Sequence, residues 1–403
     1  MAAYPREDPS CAAAREVLHI VEPTLSSNAG HCRPFVESVA RAAAAAGFDV
    51  EVWAGRGAVA DLPAGASLHP HFSRRWRRFQ AFALYRRLLR GPGRILVATA
   101  GTADFLLLRA ASPPGVASGK ASLFVHWVRS SERKARAMEA VARACPWMRV
   151  LGPSATVAEF YRERGFADAR EVPYPVDSKA FASTPSTEGT VPFTHILFAG
   201  AARIDKGFRE AVSLVERLAS TGPALPVRLQ ASPKHYDKPD AAVGAEIDRL
   251  KRVRYAPLEV VWETLSPEEY DGLFRGGICI QPYRRDDFAD RISGVTLDAL
   301  RNGCPVVVPE GTWMARVVAE TGAGIAVASL SAESLLGAVE AIRADDAAFR
   351  ERAVRAAALL RASSRTSKFQ KGPPSSTTVV MPLARVRRKS SCMPARMRFT
   401  SSA

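Results

Sequence analysis

Short apolar runs alternate with helical stretches along most of this chain, and that alternation leaves few architectures open. The run at 16–21 is followed by a polar loop, a helical stretch from about His31 to a stop at Gly47, and a second run at 49–53. Strand, crossover helix and second strand form the unit of a parallel, doubly wound sheet. Runs at 94–99, 122–127 and 148–151 continue the series. A second series begins near residue 193, with runs at 195–199, 227–230, 259–262, 278–281, 305–308 and 324–327 and helical stretches such as 207–218 and 295–301. The segment 179–192 between them is rich in Ser, Thr, Pro and Gly, as linkers are. The expected architecture is therefore an α/β chain of two Rossmann-like domains, at 1–178 and 193–345, facing each other across a cleft. A closing helix is expected at 346–360, and a basic low-complexity tail at 361–403. A length of 403 residues suits two or three domains at about 150 residues each.

The charge balance first suggests nucleic acid, since 56 Lys and Arg face 40 Asp and Glu for a net +16. Ten of those bases fall in 361–403, where no acid occurs, so the first 360 residues hold 46 against 40. The tail, with Ser363-Ser364 and Gly372-Pro373-Pro374, reads either as a disordered extension or as the product of a shifted reading frame. Six scattered cysteines form no C-x-x-C pair and no zinc-spaced cluster, which fits thiols in a reducing compartment. Arg6, Glu7 and Asp8 stand where a secretory signal would be apolar, and no apolar run of about 18 residues occurs, so a cytoplasmic protein is expected.

Two segments carry chemistry. In the first, a strand-like run ends at Gly200, and Arg203 and Lys206 sit in the loop before a helical stretch. Two cations at the carboxyl end of a parallel strand can clamp a diphosphate, the Arg bidentately and the Lys as a point charge. In the second, Asp290 and Asp298 stand eight residues apart with Ser293, Gly294 and Val295 between them. A Ser-Gly turn opening a helix presents unpaired N–H groups that suit an anion, and Asp298, about one turn further on, could reach a sugar hydroxyl beside it. Taken singly, the first segment reads more commonly as two exposed loop cations, and the second equally well as a solvated, acid-capped helix.

Together, in this order and about 90 residues apart, the two segments resemble the retaining glycosyltransferases of family 4, which have the GT-B fold. Gly200, Arg203, Lys206 and Gly207 match that family's Gly…Arg…Lys-Gly loop. Asp290 and Asp298 match its pair of acids, and Leu300, Gly303, Pro305, Val306 and Val307 match the run that follows. The resemblance covers roughly 16–345. It implies transfer of a sugar from a nucleotide-diphosphate sugar to a glycan or lipid-linked acceptor, without a metal or other cofactor, in cell-envelope or exopolysaccharide synthesis. Arg203, Lys206, Ser293, Gly294, Val295 and Asp298 would then bind the donor. His126, Asp290, Arg203 and Lys206 would act in catalysis, and Asn28, Gly30 and His31 would form the loop facing sugar and acceptor. The chain departs from the family in four places. Both acids are Asp rather than Glu, Arg291-Ile292-Ser293-Gly294 replaces a Gly-Phe-Gly, Tyr174 stands where Asn is usual, and Gly277 where an acid is usual. Two other readings stay open, a degenerate non-catalytic member that binds a glycan or a partner and a nucleotide-sugar epimerase on the same fold. A nucleic-acid binder acting through the tail ranks behind both.

One further stretch, Arg74 to Arg90, holds seven arginines interleaved with Trp76, Phe79, Phe82, Tyr85, Leu88 and Leu89. At helical spacing Phe79, Phe82 and Leu89 share a side ringed by arginines, as in a helix lying on an acidic membrane surface. The same stretch also reads as a core-facing helix with a solvated basic face.

Overall fold

The computed structural model describes residues 15–26, 32–176, 181, 184, 186, 189–221, 223–232, 240–263 and 265–365. The first sheet has seven strands, β1 (Val17–Glu22), β2 (Asp49–Gly55), β3 (Ser67–Phe72), β4 (Arg94–Val97), β5 (Ala121–Phe124), β6 (Arg149–Gly152) and β7 (Asp168–Glu171). The second has six, β8 (His195–Phe198), β9 (Val227–Gln230), β10 (Leu258–Val261), β11 (Gly277–Ile280), β12 (Val306–Pro309) and β13 (Gly324–Val327). Their orders are β3-β2-β1-β4-β5-β6-β7 and β10-β9-β8-β11-β12-β13, with every pairing parallel. The α/β architecture of two doubly wound sheets expected from the alternation is the one observed.

Helices cover both faces of each sheet. The first is packed by α1 (Cys32–Ala45), α2 (Arg77–Arg90), α3 (Thr102–Ala111), α4 (Glu132–Ala144) and α5 (Ala155–Arg162). The second carries α6 (Phe208–Thr221), α7 (Ala241–Arg252), α8 (Pro267–Gly272), α9 (Arg285–Phe288), α10 (Gly294–Arg301), α11 (Trp313–Thr321), α12 (Ala332–Ala344) and α13 (Asp346–Arg365). Two apolar clusters sandwich each sheet, which is why the central strands read as continuous apolar runs. Helix α13 is latched to the second sheet by Arg350, which is buried. Its Nε donates to Asp346 at 2.9 Å, and its other nitrogens reach the Gly276 and Gly277 carbonyls at 3.2 Å. Removing Asp346 would leave that guanidinium uncompensated, at a cost of about 3–5 kcal/mol.

Two strands go unseen in the sequence reading, and both lie at sheet edges. β3 reads Ser-Leu-His-Pro-His-Phe, with a proline that only an edge strand accepts, and β7 reads Asp-Ala-Arg-Glu. The expected strand at 122–127 stops at Phe124, which frees His126 and Trp127 to occupy the loop beyond the strand.

Helix α2 takes the core-facing reading of its stretch. Its inner face is Ala81, Leu84, Tyr85, Leu88 and Leu89, and Phe79 is 72% exposed. The i, i+3, i+4, i+7 series beginning at Ala81 outcompetes the Phe79–Phe82–Leu89 side, because the Tyr85 hydroxyl donates to Asp104 Oδ1 at 2.9 Å and fixes the rotation against α3. Asn28, Gly30, His31, the 233–239 loop and residues 366–403 lie outside the described residues.

Candidate functional site

In a doubly wound sheet, ligands bind beyond the carboxyl ends of the strands where the winding reverses. Those points fall between β1 and β4 and between β8 and β11. At the second, β8 runs out into Gly200, whose φ of 104° lies in the left-handed region. A Cβ there would stand 3.3 Å from Lys206 Nζ and 3.6 Å from Val295 Cγ2. The tip of β8, the Lys206 ammonium and the first turn of α10 therefore converge on one spot. Lys206 is aimed there by a 3-10 turn over Ile204–Lys206 that ends at Gly207, with φ of 73°. A Cβ on Gly207 would meet the Pro282 carbonyl oxygen at 2.0 Å, so only glycine fits.

Three cations surround this spot. Arg203 is bidentate to Asp205, with Nε donating to Oδ1 at 2.7 Å and a terminal nitrogen donating to Oδ2. Arg291 stands 4.0 Å from the same Asp205 carboxylate. Lys206 is pushed down to about 8, first by burial and then by repulsion from Arg203 and Arg291, with Asp205 and Asp298 opposing. Of the carboxylates near them, Asp205 alone pairs with both guanidiniums, and the burial and repulsion that depress Lys206 outweigh Asp205 and Asp298, a balance that favours a further anion.

The opening turn of α10 adds to that field. Ser293 is its N-cap, with Oγ accepting from the Thr296 N–H at 3.2 Å and donating to Gln281 Oε1 at 3.2 Å, so the hydroxyl is engaged inside the protein. The N–H groups of Gly294 and Val295 have no acceptor among the described residues, and Gly294 is exposed. Asp298, one turn on, keeps 30% of its side chain exposed and accepts from Arg301 at 3.2 Å. Arg301 is itself held by Asp271 at 2.5 and 2.7 Å. Burial nonetheless raises the Asp298 carboxyl above its ordinary range, with Arg301 opposing.

The first domain meets this site through the loops after β5 and β7. His126 Nε2 donates to the Ala98 carbonyl at 3.0 Å, and its ring packs against Phe35, Phe124 and Tyr174. Tyr174 joins apolar clusters of both sheets, and burial, followed by the neighbouring Cys32, Asp298 and Glu22, raises its hydroxyl above the ordinary range. Trp127 lies under the Arg291 guanidinium at 5.7 Å, and Arg129 pairs with Asp287 of α9.

The fold brings together Gly200, Arg203, Lys206, Gly294 and Val295, with Asp298 one turn away. The Oδ1 of Asp290 accepts from Arg316 of α11 at 3.0 Å. Three side chains that sequence reasoning did not single out stand here. Arg291 is visible in the sequence only as a departure from a glycine-rich run, and Trp127 only as the neighbour of His126. Glu22, fully buried at the tip of β1 with its carboxyl raised by burial, looks in the sequence like a strand end. Among the described residues no three His, Cys, Asp or Glu side chains group as metal ligands would, and no helix is long and apolar enough to cross a membrane.

No protein-family model and no curated protein sequence matches the chain. Solved structures do. The α,α-trehalose 6-phosphate synthase of Burkholderia multivorans superposes with a TM-score of 0.61 at 12% identity, covering 87% of this chain and 95% of that one. HepE of Anabaena in complex with UDP-glucose gives 0.60 at 11%, covering 85% and 94%. WaaG, a glycosyltransferase involved in lipopolysaccharide biosynthesis, gives 0.58 at 14%, covering 87% and 95%. At such identities the likeness establishes the fold, and the fold of this chain is GT-B.

Proposed function

We propose that the protein is a glycosyltransferase that moves a hexosyl-type sugar from a nucleotide-diphosphate sugar to a glycan or lipid-linked acceptor, with retention, in cell-envelope or exopolysaccharide synthesis. The observation that carries the proposal is the convergence of Arg203, Lys206 and the opening turn of α10 at the switch point beyond β8. Negative charge builds on a departing nucleoside diphosphate, and preorganised cations and helix N–H groups stabilise it most in a partly desolvated site. Charge compensation is assigned to these groups rather than to a metal ion. Asp298 takes ribose hydroxyls, His126 faces the donor sugar from the first domain, and the loop with Asn28, Gly30 and His31 takes the acceptor side.

The acceptor reading includes a peripheral contact with the inner membrane face. Residues 74–79, Arg-Arg-Trp-Arg-Arg-Phe, are all exposed at the start of α2, and none of the four arginines forms a salt bridge among the described residues. Trp76 and Phe79 pack there as a tilted pair, ring centroids 5.9 Å apart, with 55% and 72% of their surface exposed. Such a tip suits acidic headgroups, with aromatics seated at the interface.

Binding without turnover is the second reading; Asp290 and Asp298 stand where the family carries Glu, and the Asp290 carboxylate is engaged by Arg316. Thermal melts with UDP, GDP, ADP and dTDP and their sugars test the donor class by mass-action stabilisation. A shift with one diphosphate supports both readings, and release of free nucleotide in the presence of acceptors separates them. A well-folded sample that shifts with none refutes the donor site.

A further inference from the structure

Arg291 stands in the loop between Asp290 and α10, three residues ahead of the first helical N–H. Its guanidinium lies over two aromatic rings, 4.9 Å from that of Phe288 in its own domain and 5.7 Å from that of Trp127 in the other. One terminal nitrogen lies 4.0 Å from Asp205, whose carboxylate is already occupied bidentately by Arg203. Arg291 is 28% exposed and close enough to Lys206 to lower its proton affinity. A planar guanidinium held over rings keeps its edge available for a second planar or tetrahedral oxyanion, which a lysine ammonium in the same place would not do.

The position of Trp127 gives the arrangement a second property. Two residues after it, Arg129 pairs with Asp287, so the segment 127–129 of the first domain abuts the segment 287–291 of the second. Arg291 is therefore seated by a side chain that belongs to the opposite wall of the cleft.

We propose that Arg291 is a third ligand of the donor diphosphate, completing the Arg203–Lys206 clamp, and that Trp127 is its positioning residue from the other domain. This rests on the nucleotide-sugar reading of the site. The clamp is then complete only when the two domains are in contact, and the diphosphate group, rather than the nucleoside, is what Arg291 recognises.

The test is calorimetric titration of the full chain with inorganic pyrophosphate, inorganic phosphate and the nucleoside diphosphate that stabilises the protein. R291Q weakens pyrophosphate about 10- to 100-fold, as loss of a charge-assisted contact does, and weakens orthophosphate less. R291K does not restore the affinity. W127A weakens pyrophosphate by a smaller factor, and W127F, which keeps a ring under the guanidinium, recovers most of it, a rescue that a merely structural role would not show. Equal pyrophosphate affinity in wild type and a folded R291Q overturns the assignment while leaving the donor site standing. Full rescue by R291K overturns the stacked geometry. A wild type that binds neither pyrophosphate nor any nucleoside diphosphate overturns the donor reading, and this inference with it.

Discussion

The depressed Lys206 leads to a prediction with a definite sign. Holding its ammonium near 8 instead of the ordinary 10.5 means the unliganded fold disfavours that charge by roughly 3 kcal/mol. A diphosphate supplies the missing counter-charge, so binding pulls the proton back onto Lys206. Affinity for pyrophosphate or a nucleoside diphosphate should be steady below pH 8. It should then fall by up to about tenfold per pH unit above it, with proton uptake on binding in that range. Titration calorimetry at pH 7, 8 and 9, in buffers of different ionisation enthalpy, reads both quantities. The unliganded protein gives the complementary signal. Between the folded value near 8 and the unfolded value near 10.5 the unfolded chain holds more protons, so stability should rise with pH across that window. Lys206→Met should be more stable than wild type at pH 7 by as much as about 3 kcal/mol, a gap that closes above pH 10.5, while binding diphosphate poorly at every pH. Flat wild-type affinity from pH 7 to 9.5 without proton uptake would show that Lys206 does not face the anion.

Other substitutions separate the parts of the site. Arg203→Ala should weaken pyrophosphate and nucleoside diphosphate alike, by about 10- to 100-fold, whereas Asp298→Ala should weaken only the nucleotide. The same loss of pyrophosphate in both would erase the division of roles between them. Gly207→Ala should destabilise the fold by about 3 kcal/mol or more, because its left-handed φ and the Pro282 carbonyl both exclude a Cβ; a chemical-denaturation midpoint unchanged from wild type would contradict that geometry. Cys304→Ala should keep activity, since that thiol is buried against the Gly277 carbonyl, away from the three cations, and abolished transfer by a stable variant would count against the proposed site. Replacing Arg74, Arg75 and Arg78 by Ser should remove about 1 kcal/mol of attraction per charge to acidic bilayers. Flotation with phosphatidylglycerol vesicles measures this, and a triple variant that floats as wild type does would dismiss the tip as a membrane contact.

The fold was legible because central parallel strands are apolar on both faces, so residues such as 195–198 and 306–308 announce themselves without help from their neighbours. The edge strands β3 and β7 lacked that signal, since one side of each faces no further strand and their residues need not be apolar. Gly200, Arg203 and Lys206 were legible for a related reason, since a strand end, a short loop and a helix start lie within ten residues and their geometry is local. Arg291 and Trp127 were not, because 164 positions separate them and only the juxtaposition of two independently wound sheets puts one over the other. The pairing of Asp290 was equally hidden, because its partner Arg316 sits on a later helix, and nothing in the spacing of Asp290 and Asp298 points to it.

Asp205 explains how such a site can exist before any ligand arrives. Three cations within reach of one another would repel strongly in a half-buried cleft, and the Lys206 shift records burial first and that repulsion second. The Asp205 carboxylate, bidentate to Arg203 and 4.0 Å from Arg291, holds the two guanidiniums in place without neutralising the set. An arriving anion therefore meets side chains already oriented, which lowers the cost of ordering them, and still finds uncompensated positive charge. A monophosphate offers too few oxygens to engage Arg203, Lys206, Arg291 and the first turn of α10 together. A diphosphate offers enough, and under the proposed function its charge grows when the bond to the sugar breaks, so these groups would bind the leaving group more strongly than the intact donor.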